Sequence, residues 1–313
     1  MREIIKLENA IEKVHEMSAG NYDTIVPVQD IMFRSLAQID IAGKSFGILP
    51  SAQRLFANRL RVPHSYLSRC SRELQAENLN YWINEEIKNR QTLFCRFDGN
   101  NLRAVFTERY TAIDHMEVLT KMLDYGFSPS GEVHFSLDNE MMVLKVPEYE
   151  RMFRLSEDDK IVPGICISNS EIGIIALSIE AFYYRLVCTN GMIAKTNTDA
   201  RYKHISRKVM EEFHLALEGV VSQSHNGQEQ FRISAQTQVS NPESTIEAFA
   251  RQFQISQEEA QIVKQAFYLE QGAATMFHVI NAFTRAAQST SLSATSSYRL
   301  EKAGGTILSM VKH

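Results

Sequence analysis

Hydrophobic positions along the chain switch period twice. The opening segment, MREIIKLENAIEKVHEM, alternates charged and apolar residues at helical spacing and predicts an amphipathic helix with no signal-peptide pattern. Residues 51–74, SAQRLFANRLRVPHSYLSRCSREL, place Leu55, Leu60, Val62, Tyr66 and Leu67 near helical spacing around a break at Val62–Pro63. Ser51 suits an N-cap and Pro63 the first turn of a second helix. The pattern is helix–turn–helix-like, with Ser65, Arg69 and Arg72 on the second helix, the one that enters the major groove in DNA readers. Two helices packed across a short turn give the same pattern. A similar stretch at 249–267, FARQFQISQEEAQIVKQAF, is acidic on its second helix, which disfavours DNA contact there.

From residue 92 the period becomes two. LFCRF (93–97) and LRAVF (102–106) flank Asp98-Gly99-Asn100-Asn101 and predict a hairpin. Asp114 can cap a helix over about 115–125, and Gly126 can end it. EVHFSL and MMVLKV predict a second hairpin, and GICISNS with the long run at 172–189 a third, the run being bent or bulged. Helical period returns at 201–222, 243–268, 272–288 and 297–312, with polar linkers at 222–242 and 288–297. The fold class is therefore α+β: an antiparallel β-sheet of five to seven strands with packed helices and an all-helical C-terminal region. Three regions follow: 1–90, N-terminal and helical with short strands; 91–222, the sheet core with its inserted helix; and 223–313, helical.

Composition is that of an ordinary globular protein, 44% hydrophobic and 22% charged over 313 residues. No apolar run approaches a membrane span, so no membrane partner is expected. Four scattered cysteines fit reduced thiols in a cytoplasmic setting. The net charge of −4 is unevenly spread. Residues 51–72 hold Arg54, Arg59, Arg61, Arg69 and Arg72 with no acid, and residues 181–210 hold six bases against Asp199 alone. Residues 211–270 hold nine acids and three bases. Clustered bases on an acidic background mark a local anion site or a solvated face of mixed charge.

No familiar catalytic pattern is present. Gly43-Lys44-Ser45 resembles the end of a phosphate loop, but the position that should carry the first glycine is Gln38, so a glycine turn between short elements is the simpler reading. There is no CxxC pair, HExxH spacing or G-x-S-x-G elbow. Cys188, beside Asn190-Gly191, reads as a thiol at a strand end. No catalytic residue, metal or cofactor is expected.

The segment AFYYRLVCTNGMIAKTNTDARYKHISRK is the most suggestive. On a strand, Tyr183 and Arg185 share one face. An aromatic beside an arginine can stack a base and hold a phosphate, and Arg201, Lys203, His204, Arg207 and Lys208 follow. The competing reading makes one tyrosine core and pairs Arg185 with an acid such as Glu180. With Arg59, Arg61 and Arg69 from the first basic segment, these residues form the candidate nucleic-acid site.

LRAVFTERYTAIDHMEVL, FYYRLVCTNGMI followed by YKHISRKV, and FHVINAFTRAAQ resemble the signatures of a phage- and plasmid-associated family of unknown function. The correspondence runs through Tyr110-Thr111, Cys188-Thr189-Asn190-Gly191, Lys203-His204 and Asn281-Ala282-Phe283-Thr284, over roughly residues 50–305. The chain departs from the family where Ala112 replaces a proline and His115 stands near the usual asparagine. The resemblance implies DNA processing on a mobile element. The order hairpin-then-helix at 92–125 is also similar to the β-β-α kernel of single-strand annealing recombinases, which implies a homo-oligomer, in rings. The expected function is binding or annealing of single-stranded DNA in recombination. The alternatives are a non-catalytic factor that inhibits a host defence or replication enzyme through its acidic helices, and an enzyme whose site is assembled from distant residues.

Overall fold

The computed structural model describes residues 3–88, 91–157, 159–186, 190–194, 200–202, 212–215, 217–220, 227–270 and 274–311. The architecture is α+β, with helices packed on antiparallel and mixed sheets and a helical region over 242–310. Two sheets replace the single sheet expected. The small sheet has six strands: β2 (Asn21–Pro27), β3 (Ile31–Ser35), β4 (Gln38–Ile41), β5 (Lys44–Ile48), β6 (Thr92–Asp98) and β7 (Asn101–Phe106), ordered β2-β6-β7-β5-β4-β3. The β6–β7 hairpin thus joins four strands from the first fifty residues instead of the strands that follow it. Among the described residues only β5 and β7 pair in parallel. Ala42 and Gly43 both adopt positive φ between β4 and β5, so the glycine–lysine–serine segment is a hairpin turn.

Strands β1 (Glu3–Lys6), β8 (Glu132–Leu137), β9 (Met142–Pro147), β11 (Lys160–Asn169), β12 (Leu177–Arg185) and β13 (Asn190–Ala194) run in that order across the large sheet. The short β10 (Phe153–Arg154) pairs with β11, and β14 (Ala200–Tyr202) with β12. The long apolar run at 172–189 is therefore broken: a turn with Gly173 at φ 75° precedes β12. The opening segment also divides, into β1 and the helix α1 (Leu7–Ser18).

Helices α2 (Pro50–Arg59), α3 (His64–Leu67) and α4 (Arg72–Glu86) cover one face of the small sheet, burying Phe56, Leu67, Leu79 and Ile83 against Phe33, Ile39 and Phe97. The expected second helix of a helix–turn–helix is the single turn α3. Arg69 lies in the turn after it, and Arg72 opens α4 behind the Ser71 cap. Arg61, at φ 56°, ends the first helix early. One turn is too short to fill a major groove, so the recognition-helix expectation is corrected.

On the large sheet, α1 and α5 (His115–Tyr125) pack with α6 (Gln228–Gln236), α7 (Pro242–Gln252), α8 (Gln257–Tyr268), α9 (Met276–Ala286) and α10 (Ala294–Met310). Gly126 ends α5 in the left-handed conformation, as its position predicts. The stretch read as a linker at 222–242 contains α6, and the helical stretch at 243–268 divides where Gln254 adopts φ 55°. A second apolar layer on the opposite face joins Met141, Val162, Phe182 and Tyr184 to Tyr298 of α10. Among the described residues no helix is long and apolar enough to cross a membrane.

Gly164 in β11 has no room for a side chain: a Cβ there would lie 2.2 Å from the Val146 carbonyl oxygen and 3.0 Å from the Pro147 Cα. Both obstacles are backbone, so the neighbouring strand must move. Gly164→Ala should destabilise the fold by about 1–3 kcal/mol, the usual cost of overpacking. Thermal unfolding measures it, and an unchanged melting temperature would mean that β9 and β11 separate at little cost.

Candidate nucleic-acid interface

The exposed side of α2–α4 is held in place by amide side chains. Asn80 accepts the Phe33 N–H at 2.7 Å and donates to the Phe33 carbonyl at 2.9 Å, fastening α4 to β3. Gln75 accepts from Leu36 N and donates to the carbonyls of Leu67 and Cys70, fixing the α3–α4 turn. With Leu79 and Ile83 facing inward, α4 turns Leu74, Tyr81 and Trp82 to solvent; Tyr81 is 61% and Trp82 45% exposed. The two rings meet edge to face with centroids 5.1 Å apart. Tyr66 is also exposed, and the nearby Cys70 side chain raises its pKa.

Arg61, Arg69 and Arg72 are exposed, and no salt bridge engages them among the described residues. Arg72 also lines a groove of about 620 Å³ between α4, the β3–β4 turn and β5, with Gln38, Ser45, Gln53 and Asn101. Arg59 is half-buried and paired with Glu86 at 3.4 Å. Arg54 is exposed but reaches Glu140 at 2.7 Å.

The second basic segment is placed differently. Tyr183 and Arg185 do share a face of β12, but that face is core. The Tyr183 ring packs edge to face on Phe231, and burial pushes its hydroxyl up to about 12. Arg185 is 9% exposed, pairs with Asp159 at 2.5 Å and Glu270 at 2.6 Å, and lies over the Phe277 ring. The expectation that Tyr183 stacks a base beside a phosphate-binding Arg185 is therefore revised. The competing expectation named an acid partner correctly but chose Glu180, which instead pairs with Lys302. Arg201 lies on β14 opposite Ser178, and its side chain is outside the described residues. Lys203, His204, Arg207 and Lys208 lie outside the described residues altogether, as does Cys188.

Two buried polar clusters escaped the sequence reading. At the junction of the sheets, Glu171 accepts from Arg103 at 2.6 Å and from the His115 backbone N–H at 2.8 Å, while its own carbonyl accepts from Arg96 and Tyr110. Asp114 occupies the N-cap position of α5, but its carboxylate pairs with Arg96, so Glu171 serves the helix end instead. A β-bulge between Arg96 and Phe97 leaves Arg103 without a cross-strand partner and aims it at Glu171. The second cluster joins Lys145 to Glu301 and Glu180 to Lys302 and Tyr298. None of these residues is close to its partners in sequence except Tyr298 and Lys302, so no local pattern marks them. The adjacent Tyr81-Trp82 pair, out of phase with Leu79 and Ile83 in NLNYWINEE, was the one legible signal for the exposed rings. Among the described residues no group of three or more His, Cys, Asp or Glu side chains is arranged to hold a metal ion.

A family model described as a domain of unknown function, DUF932, matches residues 103–312. The chain belongs to the DUF932 family. The match takes in the large sheet, the C-terminal helices and β7 from Arg103 onward, and leaves most of the small sheet and all of α2–α4 outside it. The exposed aromatic and basic face is thus carried by the part of the chain that the family model does not describe. No solved structure matches the chain.

Burial is the largest influence on Glu171 and would raise its carboxyl, but the charges of His115 and Arg103 and the hydrogen bonds outweigh it and hold the group below 4.5. Burial holds the His115 imidazole below its ordinary 6.5, so at neutral pH Arg103 is the positive partner. Both folded pKa values are depressed, and both contributions are present at neutral pH. Acidification should lower stability first below about pH 6.5, as His115 protonates more readily in the unfolded chain, and again below about pH 4.5 through Glu171. Glu171→Gln should cost roughly 3–5 kcal/mol, the cost of removing one partner from a buried pair. Denaturant titrations at several pH values check both; equal stability of the variant at pH 7 would show that the junction tolerates an unpaired Arg103.

Proposed function

We propose that this protein binds single-stranded DNA, without sequence preference, on the exposed face of α2–α4, and that it serves strand annealing or recombination on a phage or plasmid. The observation that carries the reading is that α2–α4 carry both exposed arginines, Arg61, Arg69 and Arg72, and the exposed rings of Tyr66, Tyr81 and Trp82. Phosphates are attracted by the arginines, and any base can stack on a ring. The polar groove beside Arg72 extends the surface toward the sheet edge. Annealing two strands requires several binding faces to act together, so the reading includes a cytoplasmic homo-oligomer, arranged as a ring.

One observation favours a second reading. Tyr268 and Leu269, at the end of the acidic helix α8, are 66% and 61% exposed, which suits a protein partner with a basic surface.

Trp82 is the only tryptophan in the chain, so its fluorescence reports on this face alone. Oligo-dT should quench it, with affinity falling at a log–log salt slope of about −0.7 per phosphate contact. Replacing Arg61, Arg69 and Arg72 together with alanine should flatten the slope by about 2 units. Tyr81→Ala should weaken binding by roughly 1–3 kcal/mol per stacked base and leave the slope nearly unchanged. Absence of quenching and of binding at low salt would sink the reading and leave the protein-partner alternative.

A further inference from the structure

The two edges of the small sheet are finished differently. At β3, side chains of α4 take the place of a further strand: Asn80 accepts the Phe33 N–H and donates to the Phe33 carbonyl, and Gln75 accepts the Leu36 N–H. At β2, the other terminal strand, no strand or side chain does so among the described residues. The Gly20 carbonyl accepts the Gly99 N–H, and Val28 donates to the Gln91 carbonyl, both at 2.9 Å and both on the β6 side. Backbone groups alternate in direction along an antiparallel strand. Tyr22, Thr24 and Val26 therefore point theirs at β6, and Asn21, Asp23, Ile25 and Pro27 point theirs away from the sheet. The outward groups of Asp23 and Ile25 have no backbone partner among the described residues. The edge is also open to solvent, with Tyr22 44% and Ile25 50% exposed.

Such an edge is a template for strand addition unless proline, lysine or a bulge blunts it. Between Tyr22 and Val26 none of these is present: the register with β6 is unbroken, and the charge of Asp23 is held by Arg96 at 2.9 Å. The terminal strand β1 of the large sheet differs, being four residues long with a charge at each end. The sequence of β2 fits a second β2. Two copies in antiparallel register keep like faces together only when the two-fold axis passes through a residue. An axis at Asp23 sets two carboxylates directly opposite each other. An axis at Ile25 sets Asp23 against Pro27, which has no N–H to give. An axis at Thr24 sets Asp23 against Ile25 of the second copy, and each both donates and accepts. In that register Asn21 donates to the Pro27 carbonyl, and Tyr22 faces Val26, an aromatic ring on a β-branched side chain.

We propose that β2 is a self-association edge: two copies of this chain pair through it, antiparallel about a two-fold axis at Thr24, and join their small sheets into one. With the β3 edge covered by α4, the small sheet has no second edge for a head-to-tail contact, so the pairing is isologous and closes at two copies. A ring is then built from such pairs through another surface. The axis stands perpendicular to the sheet, and α2–α4 cover one face of it. The helices of both copies therefore lie on the same side of the joined sheet. This gives annealing its two binding faces, a consequence that rests on the DNA-binding reading above; the pairing itself does not.

Sedimentation of the full chain over a range of concentrations should show a monomer–dimer equilibrium. Ile25→Pro removes an outward N–H that the β6 ladder does not use, a place where an edge strand accepts proline. It should raise the dimer dissociation constant at least about tenfold, through the hydrogen bonds lost, and leave the melting temperature of the monomer unchanged. Cysteine substitutions read the register. Facing Cα atoms of a non-hydrogen-bonded pair lie about 4.5 Å apart, within disulfide reach. Mild oxidation should therefore crosslink Thr24→Cys into dimers and leave Ile25→Cys, which faces Asp23, at the wild-type level. These two variants decide the matter even if Ile25→Pro fails to fold. Equal crosslinking of the two, or an equally tight dimer in folded Ile25→Pro, overturns the pairing. A chain that is monomeric at every concentration overturns it and leaves the edge to a strand of another protein. Oligo-dT quenching of Trp82 in the same samples keeps the two readings apart. A dimer without quenching supports the edge and removes the DNA reading, and quenching by a persistent monomer overturns the edge alone.

Discussion

Glu171 is where the two sheets become one molecule. Its carboxylate is 3% exposed, and its neighbours come from β7, the start of α5 and the segment before it. A lone carboxylate at that depth would be intolerable. Arg103 supplies the opposite charge, and the first N–H of α5 adds a hydrogen bond with the favourable end of the helix dipole. Arg96 then bridges the Glu171 carbonyl to Asp23 of β2 and to Asp114. This connection sets the orientation of β6–β7 relative to the large sheet. The placement of α2–α4, packed on the other face of the same small sheet, follows from it.

That dependence explains why the bases divide as they do. Arg96, Arg103 and Arg185 are spent inside the fold, each satisfied by carboxylates brought from distant parts of the chain. Arg59 and Arg54 are partly engaged, with Glu86 and Glu140. The α2–α4 segment carries exposed arginines and exposed aromatic rings together. A count of bases along the chain treats these residues as equivalent. Their availability to a ligand depends entirely on where the acids of other segments come to rest.

The large sheet carries a different kind of polar investment. Its Lys145, Glu180, Glu301 and Lys302 network is charge-balanced and lies between an apolar layer and a cleft. Such a network, once fully paired, holds its side chains in one arrangement. The serine- and threonine-rich stretch at 288–297, which looks like a spacer, forms part of the cleft and supplies the Ser293 cap of α10.

Local signals determined much of the secondary structure. Alternation placed β6 to β9, Gly99 marked the β6–β7 turn and Gly126 the end of α5 with positive φ, α9 lies within a predicted helical stretch, and α10 overlaps one but starts three residues earlier. These features depend on neighbours within a few residues, which the sequence displays directly. Short strands such as β2, β4 and β5 were hidden because four- to seven-residue segments with irregular burial carry little periodicity of their own. The partition into two sheets, the burial of Tyr183 and Arg185, and the reduction of the expected recognition helix to one turn were decided by tertiary structure. A strand's period says that one face differs from the other, and it cannot say what will pack there. Asp159, Glu270 and Phe277 made the Arg185 face interior, and none of them is near it in the chain.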